Sequence, residues 1–443
     1  MKRVEPILFV VTAVLLLVLT DRPLLSAIGV GFVPAILYSF FDECRTRIPI
    51  DKLIVAMAAV QWILGPFLAY SGYNDHYKYH MYVEESQYML LAVPGVLAFW
   101  AGFWLLRHRN SDGVFRVSFQ WVREIPPRYA YYLIITGVAA SFLSSYVPGG
   151  LKFFFYLLGL LQYIGVLYLF FGHSKNKYLV LGMSVLAITL SSLKAAMFHD
   201  LFLWVVLLSM YLMYYFQITI RQKLVYFLAG ASVIFLILVV KADYRQKIWA
   251  GAITGQEVSY FSTLVKTQIS ENKLFSKQNI EGIVVRLNQG WIISRIMEQV
   301  PANVRHADGE TVWEAAKASL LPRFLNPGKV EAGGRENYTR FTLYVIHETS
   351  MGLSLLGEGY ANFGIYGAWV FMLCVGLLFG YVFRKLLSLC TQYPSLVLWI
   401  PLIFMQVVKA ETETLVVLNY LVKAIILTLV VFYGARNFLR WDI

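Results

Sequence analysis

The residues best suited to chemistry lie between Asp243 and Gly367. Arginines with aromatic neighbours recur there: Tyr244-Arg245, Trp249, Arg286, Trp291, Arg323-Phe324, Arg335, Tyr338 and Arg340-Phe341. Guanidinium forks pair bidentately with phosphate oxygens, and aromatic faces stack on sugar rings or line apolar lipid. Together they would suit a lipid-linked sugar phosphate. Any one arginine reads equally well as a basic residue facing water or anionic headgroups, so the clustering carries the expectation.

A second signal is the run HETSMGLSLLGEGYANFGIYG at 347–367, which sets His347, Glu348, Glu358 and Asn362 among five glycines just before an apolar segment. Irregular backbone near membrane depth survives where it is buried in protein or lines a cavity. Glycines there also let helices touch, and the carboxylates favour a site over simple packing. Lys423, inside the last apolar run, is a functional candidate by position, with Glu411 or Glu413 as partners and snorkelling as the plainer role. Lys194 and His199-Asp200 stand at another outer helix end, where a hydrogen-bonded histidine is as good a reading as a catalytic one.

Several enzyme classes are excluded. No GxxxxGK[ST] loop, no GxGxxG after a strand and no GxSxG elbow occurs, and His347-Glu348 fails the HExxH pattern because Met351 holds the fifth position. Cys44, Cys374 and Cys390 form no CxxC pair, so neither a disulfide framework nor a zinc site is expected. No metal and no cofactor are expected. A chain that handles phosphates with these residues must use arginines and dipoles.

The elements that would position such a site are membrane helices. Apolar residues make up 58% of the 443 and charged residues 14%, against roughly 45–50% and about 25% in soluble domains. About twelve segments approach the roughly 20 apolar residues that cross a bilayer: 6–20, 24–41, 53–71, 88–106, 129–147, 151–172, 178–193, 200–217, 224–240, 363–383, 395–409 and 415–433. The first resembles a signal peptide but lacks a small-x-small cleavage site, and reads as a retained span.

The net charge of +12 is mostly orientation. With a cytoplasmic N-terminus, 18 basic residues fall at cytoplasmic helix ends and five in short outer loops: Arg22, Lys78, Lys152, Lys194 and Lys409. Both termini are then cytoplasmic, and no nucleic-acid partner is needed.

The expected class is all-α, a polytopic helical bundle with one large folded outer loop. Residues 1–240 form the first nine spans, 241–350 the extracytoplasmic cap, 351–433 the Gly-rich segment with the last three spans, and 434–443 a cytoplasmic tail. From Asp243 to Glu348 the cap carries 13 Lys/Arg against 11 Asp/Glu with regularly placed apolar residues, which is not the composition of a disordered segment. Asn279 to Gln299 reads as one amphipathic helix, and Thr311 to Glu314 as a capping box opening a helix that Pro322 stops.

The string LLPRFLNPGK at 320–329, followed by GEGYANFG at 357–364 and a hydrophobic span, resembles the bacterial O-antigen and exopolysaccharide repeat-unit polymerases. The likeness covers mainly residues 190–425. It implies an inner-membrane glycosyltransferase that passes a growing glycan from undecaprenyl diphosphate onto the next lipid-linked repeat unit, without nucleotide sugar or a required metal. Positions matching that pattern are Arg245, Pro322-Arg323, Lys329, Glu358, Asn362, Phe363 and Gly364. Lys194 and Lys409 depart from it, standing where arginine is often found, and a lysine lacks the bidentate fork.

The expected catalytic candidates are His347, Glu358 and Glu348. The expected substrate-binding residues are Arg245, Arg286, Arg323, Arg340, Lys329, Lys194, Tyr244, Trp291 and Asn362. Partners would be the lipid-linked donor and acceptor oligosaccharides, the bilayer, a chain-length regulator and a flippase. Two other functions stay open: a ligase-like transferase passing the glycan to another lipid or protein, and a non-enzymatic lipid or glycan transporter. Transporters place coupling charges near the midplane and often show internal repeats, whereas here the polar residues gather in one outer loop.

Overall fold

A computed structural model describes residues 4–108, 110–320, 334–345 and 351–441. Among these the chain is all-helical, with no strand. The amino-terminal helices are α1 (Val4–Leu19), α2 (Leu24–Glu43), α3 (Ile50–Tyr73), α4 (Glu85–Leu105), α5 (Ser111–Arg123), α6 (Pro127–Leu143), α7 (Gly149–Gly159) and α8 (Leu161–Phe171). Then come α9 (Lys177–Ala195), α10 (His199–Phe216) and α11 (Ile220–Trp249). A cap of short helices follows: α12 (Glu257–Ser270), α13 (Lys277–Leu287), α14 (Gly290–Gln299), α15 (Glu310–Leu320) and α16 (Arg335–Thr342). The chain closes with α17 (Ser354–Leu389), α18 (Pro394–Phe404) and α19 (Thr414–Asn437).

Every expected apolar segment has a helical counterpart, but nine helices among the described residues are long and apolar enough to cross a membrane, against the twelve expected. Those at 6–20, 129–147 and 395–409 fall short, with 16 residues in α1, 17 in α6 and a broken helix at 394–404.

The last of these breaks has an identifiable cause. Pro401 has no N–H for the Val397 carbonyl, and in an apolar interior that carbonyl needs another donor. Tyr211 in α10 supplies it at 2.6 Å, and Tyr420 in α19 donates to the Leu402 carbonyl at 2.8 Å. Residues 395–405 are all buried, so α18 is a core plug whose end releases the turn 405–413.

Further expectations change. The Asn279–Gln299 helix is two helices, broken where the Asn288 side chain accepts from the Trp291 N–H at 3.2 Å and starts α14. The break docks on α3, where the wider turns before Pro66 leave the Gln61 carbonyl free to accept from the Gln289 N–H at 3.1 Å. Gly65 makes this approach possible, since a Cβ there would stand 2.7 Å from the Leu287 carbonyl oxygen. Thr311 is not a cap residue: α15 starts at Glu310, and the Thr311 hydroxyl is used elsewhere.

From Ser354 on, the Gly-rich run is itself helical. Its first part, from Ser354, ends at Gly364, whose φ of 66° and ψ of −168° suit glycine alone. The chain folds back there, so that Phe363 meets Phe371 with ring centroids 6.0 Å apart.

Finally, the basic stretch at 107–128 contains α5, an amphipathic helix burying Phe115, Phe119 and Val122. Three basic residues counted as orientation markers there and at the α2–α3 link are paired: Arg47, Lys52 and Arg107 all face Glu43, and Arg47 also reaches Asp51 at 2.8 Å. α11 runs nine residues past the expected boundary at 240, to Trp249.

Candidate functional site

Two polar clusters meet at one end of the bundle, and the turn 405–413 contributes to both. The first is cationic. Lys409 Nζ stands 3.7 Å from Asp200 Oδ1 at the start of α10, and His199 Nδ1 stands 3.6 Å from Glu411 Oε1. Lys241 on α11 feels the charges of Arg245, Arg286 and Glu411. Arg286 donates to the Leu238 carbonyl, and Arg245 Nε donates to the Ala196 carbonyl at 3.2 Å while its guanidinium lies 4.8 Å over Trp249.

Four cations thus share this region with two carboxylates. Burial pushes the Arg286 guanidinium down from its ordinary pKa, and the Arg245 charge adds to the effect. Burial lowers Lys409 as well, against the opposing pull of Asp200 and Glu411. Cations crowded in this way favour an anion that neutralises them.

The second cluster is acidic and buried. Glu358 Oε1 accepts from the Thr311 hydroxyl at 2.8 Å, and Oε2 accepts from the Thr414 backbone N–H at 2.7 Å. One turn on, Asn362 Nδ2 donates to Thr311 Oγ1 and to the Glu358 carbonyl, both at 2.8 Å, while its Oδ1 accepts from the Gly309 N–H at 3.1 Å. The i,i+4 spacing of Glu358 and Asn362 puts both on one helix face, where they clasp the cap helix α15 and the first turn of α19. Glu413, one residue before α19, lies beside Glu358. A cavity of about 220 Å³ borders the same place, lined by apolar side chains including Val312, Leu355, Phe371, Val375 and Val417 together with Thr414.

A family model described as a domain of unknown function, DUF8712, matches residues 68–440. The chain belongs to this family. No curated protein and no solved structure matches it. The DUF8712 region begins within α3 and includes every residue of both clusters.

The other expected site residues scatter. Arg323, Lys329, His347 and Glu348 lie outside the described residues. Tyr244 is fully buried and donates to the Leu193 carbonyl at 2.9 Å, and Trp291 is buried against Tyr79 at 4.8 Å; both are core residues here. Arg340 pairs with Glu310 at 2.8 Å on the surface. Lys194 is exposed and faces Glu257, whose carboxyl is held below the usual range by the N–H groups of Glu257 and Gly255 and then by Lys194. Lys423 stands 4.6 Å over the Phe153 ring, while Glu411 faces His199.

Lys241, His199, Asp200, Lys409 and Glu411 enter the cationic cluster beyond the residues expected to bind substrate. The signal for Lys409 and Glu411 in the sequence is the run Lys409-Ala-Glu-Thr-Glu413, with three charges in five residues between two apolar stretches. Among the described residues no group of three or more His, Cys, Asp or Glu is arranged to hold a metal ion.

Proposed function

We propose that this protein is a multi-pass glycosyltransferase of the bacterial inner membrane, with both termini cytoplasmic. In this reading it polymerises undecaprenyl-diphosphate-linked repeat units into a surface polysaccharide at the outer face. The observation that carries it is the convergence of Lys241, Arg245, Arg286 and Lys409 beside buried carboxyls and an apolar cavity. A diphosphate bearing a hydrocarbon chain matches both halves of that arrangement.

The acceptor hydroxyl attacks the anomeric carbon of the donor, the bond to the diphosphate oxygen breaks, and the electron pair leaves with undecaprenyl diphosphate. Negative charge grows on that leaving group, so preorganised cations there stabilise the transition state more than the ground state. A flippase would deliver the substrates, and a chain-length regulator would limit the product.

Membrane insertion is supported by apolar side chains that stand exposed on the long helices, among them Val138, Leu186, Leu228, Val370 and Val430. The orientation is supported by the sequence, with 18 basic residues at one set of helix ends against five in the short loops at the other. In a Cys374→Ala background, a cysteine at exposed Lys266 is expected to react with an impermeant maleimide from outside, and one at exposed Lys175 only after the membrane is opened. The opposite pattern overturns the placement.

Deletion of the gene separates the candidate functions. Loss of a polymerase leaves single repeat units on the lipid carrier. Loss of a ligase instead leaves long glycan on the carrier, and loss of a transporter leaves unextended units facing the cytoplasm. The first outcome is the one expected.

A further inference from the structure

Glu358 is a buried carboxyl that the fold explains, since both of its oxygens receive hydrogen bonds and it holds three elements together. Glu413 is a buried carboxyl that the fold satisfies only in part, through Asn337 and the Gly334 N–H. It is 1% exposed, and its Oε2 is buried with no hydrogen-bond partner. Leaving a polar atom in that state is unfavourable unless a ligand comes to meet it. It stands second after Glu411 in the turn that also brings Lys409 to the cationic cluster, and it precedes Thr414 at the border of the apolar cavity. Along the chain the unspent acceptor therefore falls between Lys409 of the cationic cluster and Thr414 at the apolar cavity.

We infer that Glu413 is the general base that takes the proton from the attacking sugar hydroxyl, an assignment that rests on the reading of this protein as a lipid-linked glycan polymerase. The acceptor O–H bond breaks as the new glycosidic C–O bond forms. Its proton goes to the free Glu413 oxygen, and the anomeric C–O bond of the donor breaks toward the diphosphate. Burial, with the charge of Glu358 next in effect, pushes the Glu413 carboxyl up to about 8, against hydrogen bonding from Asn337 and the Gly334 N–H. Among the groups that act on it, Glu358 on α17 is charged, while Asn337 on α16 and Gly334 before it are neutral donors. A base whose pKa lies near the working pH combines availability with driving force.

The sign follows directly. The base acts when ionised, so turnover rises with pH and levels off above about 8. The test uses full-length protein in proteoliposomes and lipid-linked repeat units extracted from the deletion strain, with turnover and KM measured from pH 5.5 to 9.5 for wild type, Glu413→Gln and Glu413→Asp. Glu413→Gln is expected to lower turnover by on the order of 10²–10⁴-fold, to leave KM within a few-fold, and to flatten the limb near pH 8. Glu413→Asp is expected to restore part of the rate together with a pH limb. Infrared difference spectra supply a readout without substrate: a protonated-carboxyl band titrating near pH 8 and missing in Glu413→Gln.

Normal turnover and an unchanged profile in a well-folded Glu413→Gln would overturn the base and leave the polymerase reading standing. Wild type that extends no glycan at any pH would overturn both.

Discussion

Replacing Lys409 with methionine is expected to reduce glycan extension by on the order of 10²–10³-fold, the usual effect of deleting one preorganised donor to a developing negative charge. Methionine keeps the length and apolar stem that the buried turn requires. What it removes is the positive charge, leaving Asp200 and Glu411 facing the site proposed to receive the diphosphate. The loss should appear mainly in turnover, because the contact strengthens as the diphosphate departs. Lys409→Arg is expected to retain much of the activity. Arg245→Ala should lose activity too, and the double variant should lose less than the product of the two single effects, since residues acting on one leaving group are not additive. Independent, multiplicative losses would mean that the two cations serve different groups.

Replacing Glu358 with leucine is expected to destabilise the protein by about 3 kcal/mol, since a buried hydroxyl and a buried N–H each lose an acceptor. Thr311 would lose its Glu358 bond, and the first turn of α19 would lose the carboxyl that accepts from Thr414. The effect should fall on the seam between cap and bundle: α15 should become sensitive to protease while the long helices stay intact. Thr311→Val removes one of the same bonds. A double-mutant cycle in detergent should therefore show coupling of about 1 kcal/mol. Additive losses would separate Thr311 from Glu358 and undo the account of the clasp.

Much of this arrangement is legible in the residues because the forces behind it are local. Runs of apolar residues produce the helices wherever no charge interrupts them, and the spacing of Glu358 and Asn362 announces a shared face. Arg245 and Arg286 stand out by their aromatic neighbours, and the fold brings their charges near each other. What could not be read is what depends on long-range partners. Tyr244 and Trp291 look like platforms for sugar, yet each fills a core position set by helices far away in sequence. Thr311 has the right neighbours for a helix cap, but Glu358, 47 residues on, takes its hydroxyl. The segment at 395–409 has the composition of a span and becomes a plug because Tyr211 and Tyr420 satisfy the carbonyls around Pro401. Glu413 reads as a partner for Lys423 along one helix, whereas the fold places it against Glu358 and frees one of its oxygens.

In the proposed function this end of the bundle joins one lipid-linked glycan to another. Purified protein in proteoliposomes, given lipid-linked repeat units alone, tests it most directly. The expected result is glycan lengthened by whole repeat units, with one undecaprenyl diphosphate released per unit added and both products lost in the Lys409→Met, Arg245→Ala double variant. Repeat units that cross the bilayer without being joined, or lengthening that survives the double variant, would contradict the account.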